Sequence, residues 1–70
     1  MVDKPPLNLS SREQQCLLAS ARGLVSLQIA QELGLSARTV DSHIANAMRK
    51  LNAHTRVEAV ATAFRLGLLH

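Results

Sequence analysis

The sequence predicts an all-α domain of four helices organised around a helix-turn-helix. Three observations lead there. No segment alternates apolar and polar residues over a useful length, so no strand is expected. Four stretches instead carry apolar residues at helical spacing, each with start and stop signals. Two of these stretches are separated by only Gly34, Leu35 and Ser36. Helices joined by so tight a turn cannot lie antiparallel and must cross steeply. The palette agrees: hydrophobic residues make up 47% of the 70, yet Phe64 is the one aromatic. Such a core is built from Leu, Ile, Val, Ala and Met, which suits packed helices better than sheets.

The elements follow in order. Residues 1–8 hold Pro5 and Pro6 without periodicity and read as a linker or disordered arm, leaving residues 9–70 as one domain. The first helix opens at "LSSRE", where Ser10 and Glu13 can form a capping box. Leu9, Glu13, Cys16, Leu17 and Ser20 share a face, and Gly23 stops the helix. The second starts near Val25 or Ser26 and ends at Gly34, burying Ile29, Ala30 and Leu33. Leu35 should plug the corner between it and the third helix. That third helix is capped by Ser36 and covers about residues 37–51. A second capping box, Thr55 to Glu58, opens the fourth, which runs to about Leu66 before Gly67.

The third helix carries the functional signal. At roughly 100° per residue, Val40, Ile44, Ala47, Met48 and Leu51 gather on one side as a core stripe. Arg38, Ser42, Ala45, Asn46 and Arg49 gather opposite, with Thr39, His43 and Lys50 on one flank and Asp41 on the other. An ordinary solvated face favours Glu and Lys in i,i+4 pairs. Here short side chains separate Arg and Asn. Short side chains let a helix approach a groove closely, while Arg and Asn supply the paired contacts that read guanine and adenine edges. Ser36, Thr39 and the free N–H groups at the helix start suit a phosphate. Asp41 accepts from a cytosine amino group, costs affinity, or pairs with Arg38. His43 touches phosphate or serves core packing.

Charge points the same way. Arg38, Arg49, Lys50 and Arg56 face only Asp41 between residues 36 and 56, so the whole net charge of +3 is concentrated there. A localised basic face is a nucleic-acid footprint, with a solvated surface as its bland counterpart. On the fourth helix, Ala59, Val60, Ala63 and Leu66 form one apolar stripe, and Val57, Ala61, Phe64 and Leu68 form another. The second is the edge of a wide core stripe or a surface for another copy of the chain. The latter predicts a homodimer on an inverted-repeat operator.

Three stretches, "LSSREQQCLLASARG", "IAQELGLSARTVDSHIANAMRKL" and "RVEAVATAFRLGLL", together resemble the LuxR-type (GerE/NarL-like) DNA-binding domain of bacterial transcription regulators. The resemblance covers about residues 9–69, and "NAMRKL" is most similar to the quorum-sensing branch. It implies a third helix in the major groove and a fourth that pairs protomers. It also implies base contacts from Asp41, Ser42 and Ala45, and phosphate contacts from Thr39, His43, Asn46, Arg49 and Lys50. Asp41 stands where the family often has Lys. Val25 stands where a Ser or Thr usually caps the second helix, which passes that role to Ser26. Such regulators mostly carry a further N-terminal domain, so the chain is an excised output domain or a naturally short regulator.

Other functions fare worse. Asp41 and His43 point apart on the helix and make no catalytic pocket with a serine, so an enzyme is not expected. His43, His54 and His70 fit no usual metal spacing, Cys16 on an apolar face reads as core, and no cofactor is predicted. Arg22 and Arg65 read as solvated charges. No apolar run approaches the roughly 20 residues of a membrane span. The expected partners are double-stranded DNA, a second copy and RNA polymerase, in the cytoplasm. The alternatives are a helical protein-interaction module and a domain similar to region 4 of a sigma factor.

Overall fold

The computed structural model describes residues 8–69, and its four helices are α1 (Ser11–Ala21), α2 (Ser26–Leu33), α3 (Ala37–Lys50) and α4 (Arg56–Arg65). The expected arm over residues 1–8 falls, apart from Asn8, outside the described residues, as does His70. Among the described residues there is no strand.

Local chemistry starts each helix. Ser10 closes the expected capping box on α1: its Oγ accepts the Glu13 N–H at 3.1 Å, and Glu13 Oε1 accepts the Ser10 N–H at 2.9 Å. Two start signals work differently from expectation. Ser26 is the first helical residue of α2 rather than its cap. Val25 occupies the cap position without a side-chain acceptor, and Gln28 compensates in part by accepting the Val25 N–H at 3.0 Å. At α4, Thr55 Oγ1 accepts the Glu58 N–H at 3.0 Å, but Glu58 returns to the N–H of His54, one residue beyond the cap, at 2.6 Å. The box is therefore offset by one residue.

The four helices end alike. After each last turn one residue takes a left-handed backbone (Gly23, Gly34, Asn52 and Gly67), and the next is apolar. The N–H of that apolar residue reaches back five positions: Leu24 to Ala19 O, Leu35 to Ala30 O, Ala53 to Met48 O and Leu68 to Ala63 O, at 2.8–3.2 Å. This is the Schellman arrangement, and it turns each following apolar side chain inward. Leu24, Leu35, Ala53 and Leu68 all pack against the core. Gly34 illustrates the requirement: an added Cβ there meets nothing within 4 Å, so its φ of 70°, not lack of space, demands glycine.

The core has two adjoining clusters. One unites Leu9, Leu17, Ala47, Leu51, Ala59, Ala63 and Leu69 between α1, the end of α3 and α4. The other unites Cys16, Ala19, Ile29, Ala30, Val40 and Ile44 beneath the α2–α3 pair. Met48 packs against both. Burial raises the Cys16 thiol pKa, which keeps the side chain a neutral core group. Two expectations for the end of the chain change. Leu66 is exposed, because α4 ends at Arg65 and Leu66 has left the helix face that Ala59 and Ala63 bury. Leu68 is half-buried against the core rather than part of a free outer stripe, because the Schellman turn folds it onto Ala63, and Leu69 is buried beside it.

A polar tie crosses this core edge. Glu13 is only 4% exposed, and Lys50 Nζ donates to its Oε1 at 2.8 Å, joining the start of α1 to the end of α3. Burial pushes the Glu13 carboxyl pKa up. Hydrogen bonds from Lys50 and from the Ser10 N–H outweigh that and hold it below the ordinary 4.5. The ionised form is therefore stabilised by folding. Its contribution is complete above the unfolded value and disappears as pH falls through the lower folded value. Glu13→Gln is expected to cost about 1 kcal/mol near neutrality, discounted for the partly exposed ammonium, or ~4–8 °C in melting temperature. Thermal unfolding followed by circular dichroism from pH 7 to 3 checks this. The gap between the two proteins should be constant above pH 5 (roughly) and narrow below the ordinary 4.5.

Candidate nucleic-acid interface

Helix α3 is held by its inner stripe. Val40, Ile44 and Ala47 are buried, Leu51 is buried at its end, and Met48 is half-buried. Because these residues recur at three and four positions, the opposite residues must face outward. Arg38, Asp41, Ser42, Ala45 and Arg49 are exposed, and Thr39, His43 and Asn46 are half-buried along the flanks. Of the outward face predicted from spacing, Arg38, Ser42, Ala45 and Arg49 are exposed and Asn46 lies half-buried at its edge, with Ser42 and Ala45 as the low centre.

The start of α3 is rigidly built. Ser36 Oγ accepts the Thr39 N–H at 3.1 Å, and the Ser36 hydroxyl donates to Thr39 Oγ1 at 2.9 Å. Leu35, half-buried in the joint after Gly34, packs on the cluster beneath the helix pair and sets where α3 begins. At the other end, Arg49 donates to Asn46 Oδ1 one turn earlier, which orients the amide and spreads the guanidinium along the face. Arg49 and Lys50 also sit favourably in the last turn of α3. The Arg38 side chain, in the first turn of α3, makes no hydrogen bond or ion pair with another described residue. Its guanidinium projects into solvent from the first turn.

Two charged residues are less free than their spacing suggests. Lys50 is committed to Glu13 and lies 3.4 Å from the backbone oxygen of Asn8. Asp41 does not pair with Arg38. Its Oδ1 accepts the Ser26 hydroxyl and an Arg56 guanidinium N–H at 3.0 Å, and the same Arg56 nitrogen donates to Ser26 Oγ at 2.7 Å. Arg38 lies three residues away on the same helix, whereas Arg56 starts α4 and reaches across to it. Fifteen residues separate Asp41 from each of Ser26 and Arg56. No local spacing pattern reveals such a triad, and sequence reasoning missed both partners. Arg56, counted toward the basic face, is therefore paired with that face's own acid.

The outer side of α4 is apolar. Val57 is 79% exposed and Phe64 46%, with Ala61 between them and Leu66 beyond. A groove of about 290 Å³ runs beside it, lined by Ser20, Ala21, Arg56, Val57, Val60 and Ala61. Arg22 pairs with Glu32 at 2.9 Å on the surface. Among the described residues no group of three His, Cys, Asp or Glu could hold a metal, and no helix is long and apolar enough to cross a membrane.

Comparison with known proteins converges on one group. The family model of bacterial regulatory proteins, luxR family (GerE), matches residues 7–63. The chain is 46% identical over 66 residues to the HTH-type transcriptional activator RamA of Corynebacterium glutamicum, covering 94% of this chain and 24% of that protein. It is 43% identical over 63 residues to the transcriptional activator protein AnoR of Acinetobacter nosocomialis, covering 90% and 26%. The chain thus spans about a quarter of the length of these relatives. The solved structure of the transcription factor GerE matches with a TM-score of 0.85 and 32% identity, over 94% of this chain and 97% of that one.

The cap that begins α3 has a measurable weight. Ser36→Ala leaves the Thr39 N–H without its acceptor and is expected to cost about 1 kcal/mol, while Ser36→Gly costs only a few tenths. Denaturant unfolding of the three proteins should give that order. Equal stability of the alanine variant and the parent would show that the hydrogen bond carries no weight.

Proposed function

Because the chain belongs to the luxR family of bacterial regulatory proteins, we propose that it is a sequence-specific double-stranded DNA-binding domain that inserts α3 into the major groove. One observation carries this reading. The outward face of α3 is low at Ser42 and Ala45, flanked by Arg38, Asn46 and Arg49, and backed by the buried Val40, Ile44, Ala47 and Leu51. A helix fits the major groove, where bidentate Arg and Asn contacts separate guanine and adenine from the other bases. In this reading Arg38, Ser42 and Ala45 meet base edges. Ser36, Thr39, His43, Asn46 and Arg49 line the phosphates, and Lys50 reaches them only by loosening its hold on Glu13.

The second part of the proposal concerns pairing. Val57, Ala61 and Phe64 on α4, continued by Leu68 at its half-buried edge, form the contact between two copies. A large exposed aromatic beside an exposed valine supports this. Two-fold pairing gives an inverted-repeat operator. Residues 9–70 then act as the DNA-binding domain after a linker at residues 1–8. The names of RamA and AnoR support a transcriptional activator. In this reading the protein works in the cytoplasm and contacts RNA polymerase. The "NAMRKL" run supports a quorum-sensing regulator as the parent protein.

Selection of bound duplexes from a random pool, followed by salt titration, tests the reading. Enrichment of a two-fold symmetric site is expected, with affinity falling steeply as salt rises. Arg49→Ala should weaken binding to all sequences alike and reduce the log–log salt slope by about one. An unchanged slope removes Arg49 from the interface. Phe64→Asp should leave half-site binding intact while lowering full-site affinity by about tenfold or more. A folded Phe64→Asp protein that still binds the full site as tightly as the parent rules out pairing through α4.

A further inference from the structure

The triad at the front of α3 has the form of an occupied anion site. Ser26 contributes a hydroxyl from the first turn of α2, and Arg56 contributes a guanidinium from the first turn of α4. Both donate to one oxygen, Oδ1 of Asp41, and Arg56 also bonds Ser26 directly. A hydroxyl and a guanidinium converging on one oxyanion are the donors that also hold a backbone phosphate. The site lies on the edge of the α3 face and is open to solvent: the Asp41 side chain is 59% exposed and Arg56 37%. Its occupant belongs to the protein itself.

We infer that Ser26 and Arg56 form a phosphate-binding site that Asp41 keeps filled, so that the domain's own carboxylate stands in for a DNA phosphate. The inference rests on the DNA-binding reading given above. Its physical content is a competition. With Asp41 in place, Arg56 is neutralised and releases no counterion on binding DNA. Attraction to the phosphate backbone is then weaker than the basic residues around α3 imply. Sequence-independent binding is mostly counterion release, so it loses most. Contacts to base edges by Arg38 and its neighbours lose less. Asp41 thus raises the ratio of specific to non-specific affinity without touching a base. The exposed pair adds little to stability, so the triad can be opened without unfolding the domain.

Salt titrations of binding to an off-target duplex, followed by fluorescence anisotropy, test this with four proteins: parent, Asp41→Ala, Arg56→Ala and the double variant. Asp41→Ala is expected to raise off-target affinity several-fold at low salt and to steepen the log–log slope by about 0.9, the value for one added phosphate contact. Adding Arg56→Ala should abolish both gains, while Arg56→Ala alone should leave the parent slope nearly unchanged. Ser26→Ala added to Asp41→Ala should remove part of the gain. An unchanged slope in Asp41→Ala overturns the inference. So does a gain that persists without Arg56, which shows only that a negative charge was removed. Asp41→Ser, smaller in perturbation, repeats the measurement if circular dichroism shows that the alanine variant is unfolded. A folded parent that binds no duplex at any salt refutes the DNA-binding reading itself. A parent that binds while the four slopes coincide refutes only the masked site.

Discussion

Everything in this domain depends on α3 being buried along one line and bare along the other. Val40, Ile44 and Ala47 supply that line, and α1, α2 and α4 all pack on α3. The two core clusters meet along it, with Met48 shared between them. The constraint acts in both directions. The other helices have a common surface only because α3 offers one, and α3 presents Arg38, Ser42, Ala45 and Arg49 to solvent only because its inner stripe cannot be turned outward. Burying side chains of the size of Val and Ile is worth about 1.5–3 kcal/mol each. Rotating α3 to hide its polar face would lose several such terms at once. The face is thus held by the core and needs no interactions of its own to stay outward.

Small size makes the helix ends matter. A chain of 70 residues has few buried residues to spare, and every connection here also serves as core. The repeated ending, a left-handed residue followed by an apolar one, turns each loop back at the point where the next cluster requires a side chain. Leu24 and Leu35 close the cluster under the α2–α3 pair, and Ala53 and Leu68 close the other. The joint between α2 and α3 can be three residues long because Leu35 satisfies the backbone of Ala30 and fills the corner together.

Charge is used sparingly and at the seams. Glu13–Lys50 ties α1 to α3, Asp41–Arg56 ties α3 to α4 through Ser26, and Arg22–Glu32 links the end of α1 to α2. Only the first has a buried member, and one oxygen of its carboxylate accepts from both the cap of α1 and the ammonium of α3. The other two are exposed, where such pairs are worth little in stability. Their consequence is electrostatic: each removes a cation from the pool available to a polyanion. Of the basic residues around α3, Arg38 and Arg49 carry most of what is left unpaired by an acid.

The sequence by itself determined the four helices, both core stripes in outline, the Ser10 and Ser36 caps, the three-residue joint and the outward face of α3. All of these arise from interactions within a few residues, or from a periodicity that one helix imposes on itself. Tertiary structure decided the rest. Asp41 found Arg56 instead of Arg38 because folding carries the start of α4 to the front of α3, a proximity that no spacing encodes. Lys50 was claimed by Glu13 across the domain for the same reason. Leu66 and Leu68 exchanged their expected places because helical periodicity stops at Arg65, after which the turn at Gly67 dictates direction. Ser26, read as a cap from its position, became a partner of Asp41 because Val25 had already taken the extended backbone that precedes α2. Periodicity identifies which face of a helix is free, but the partners of each charge on that face are set by which helix ends the fold brings together.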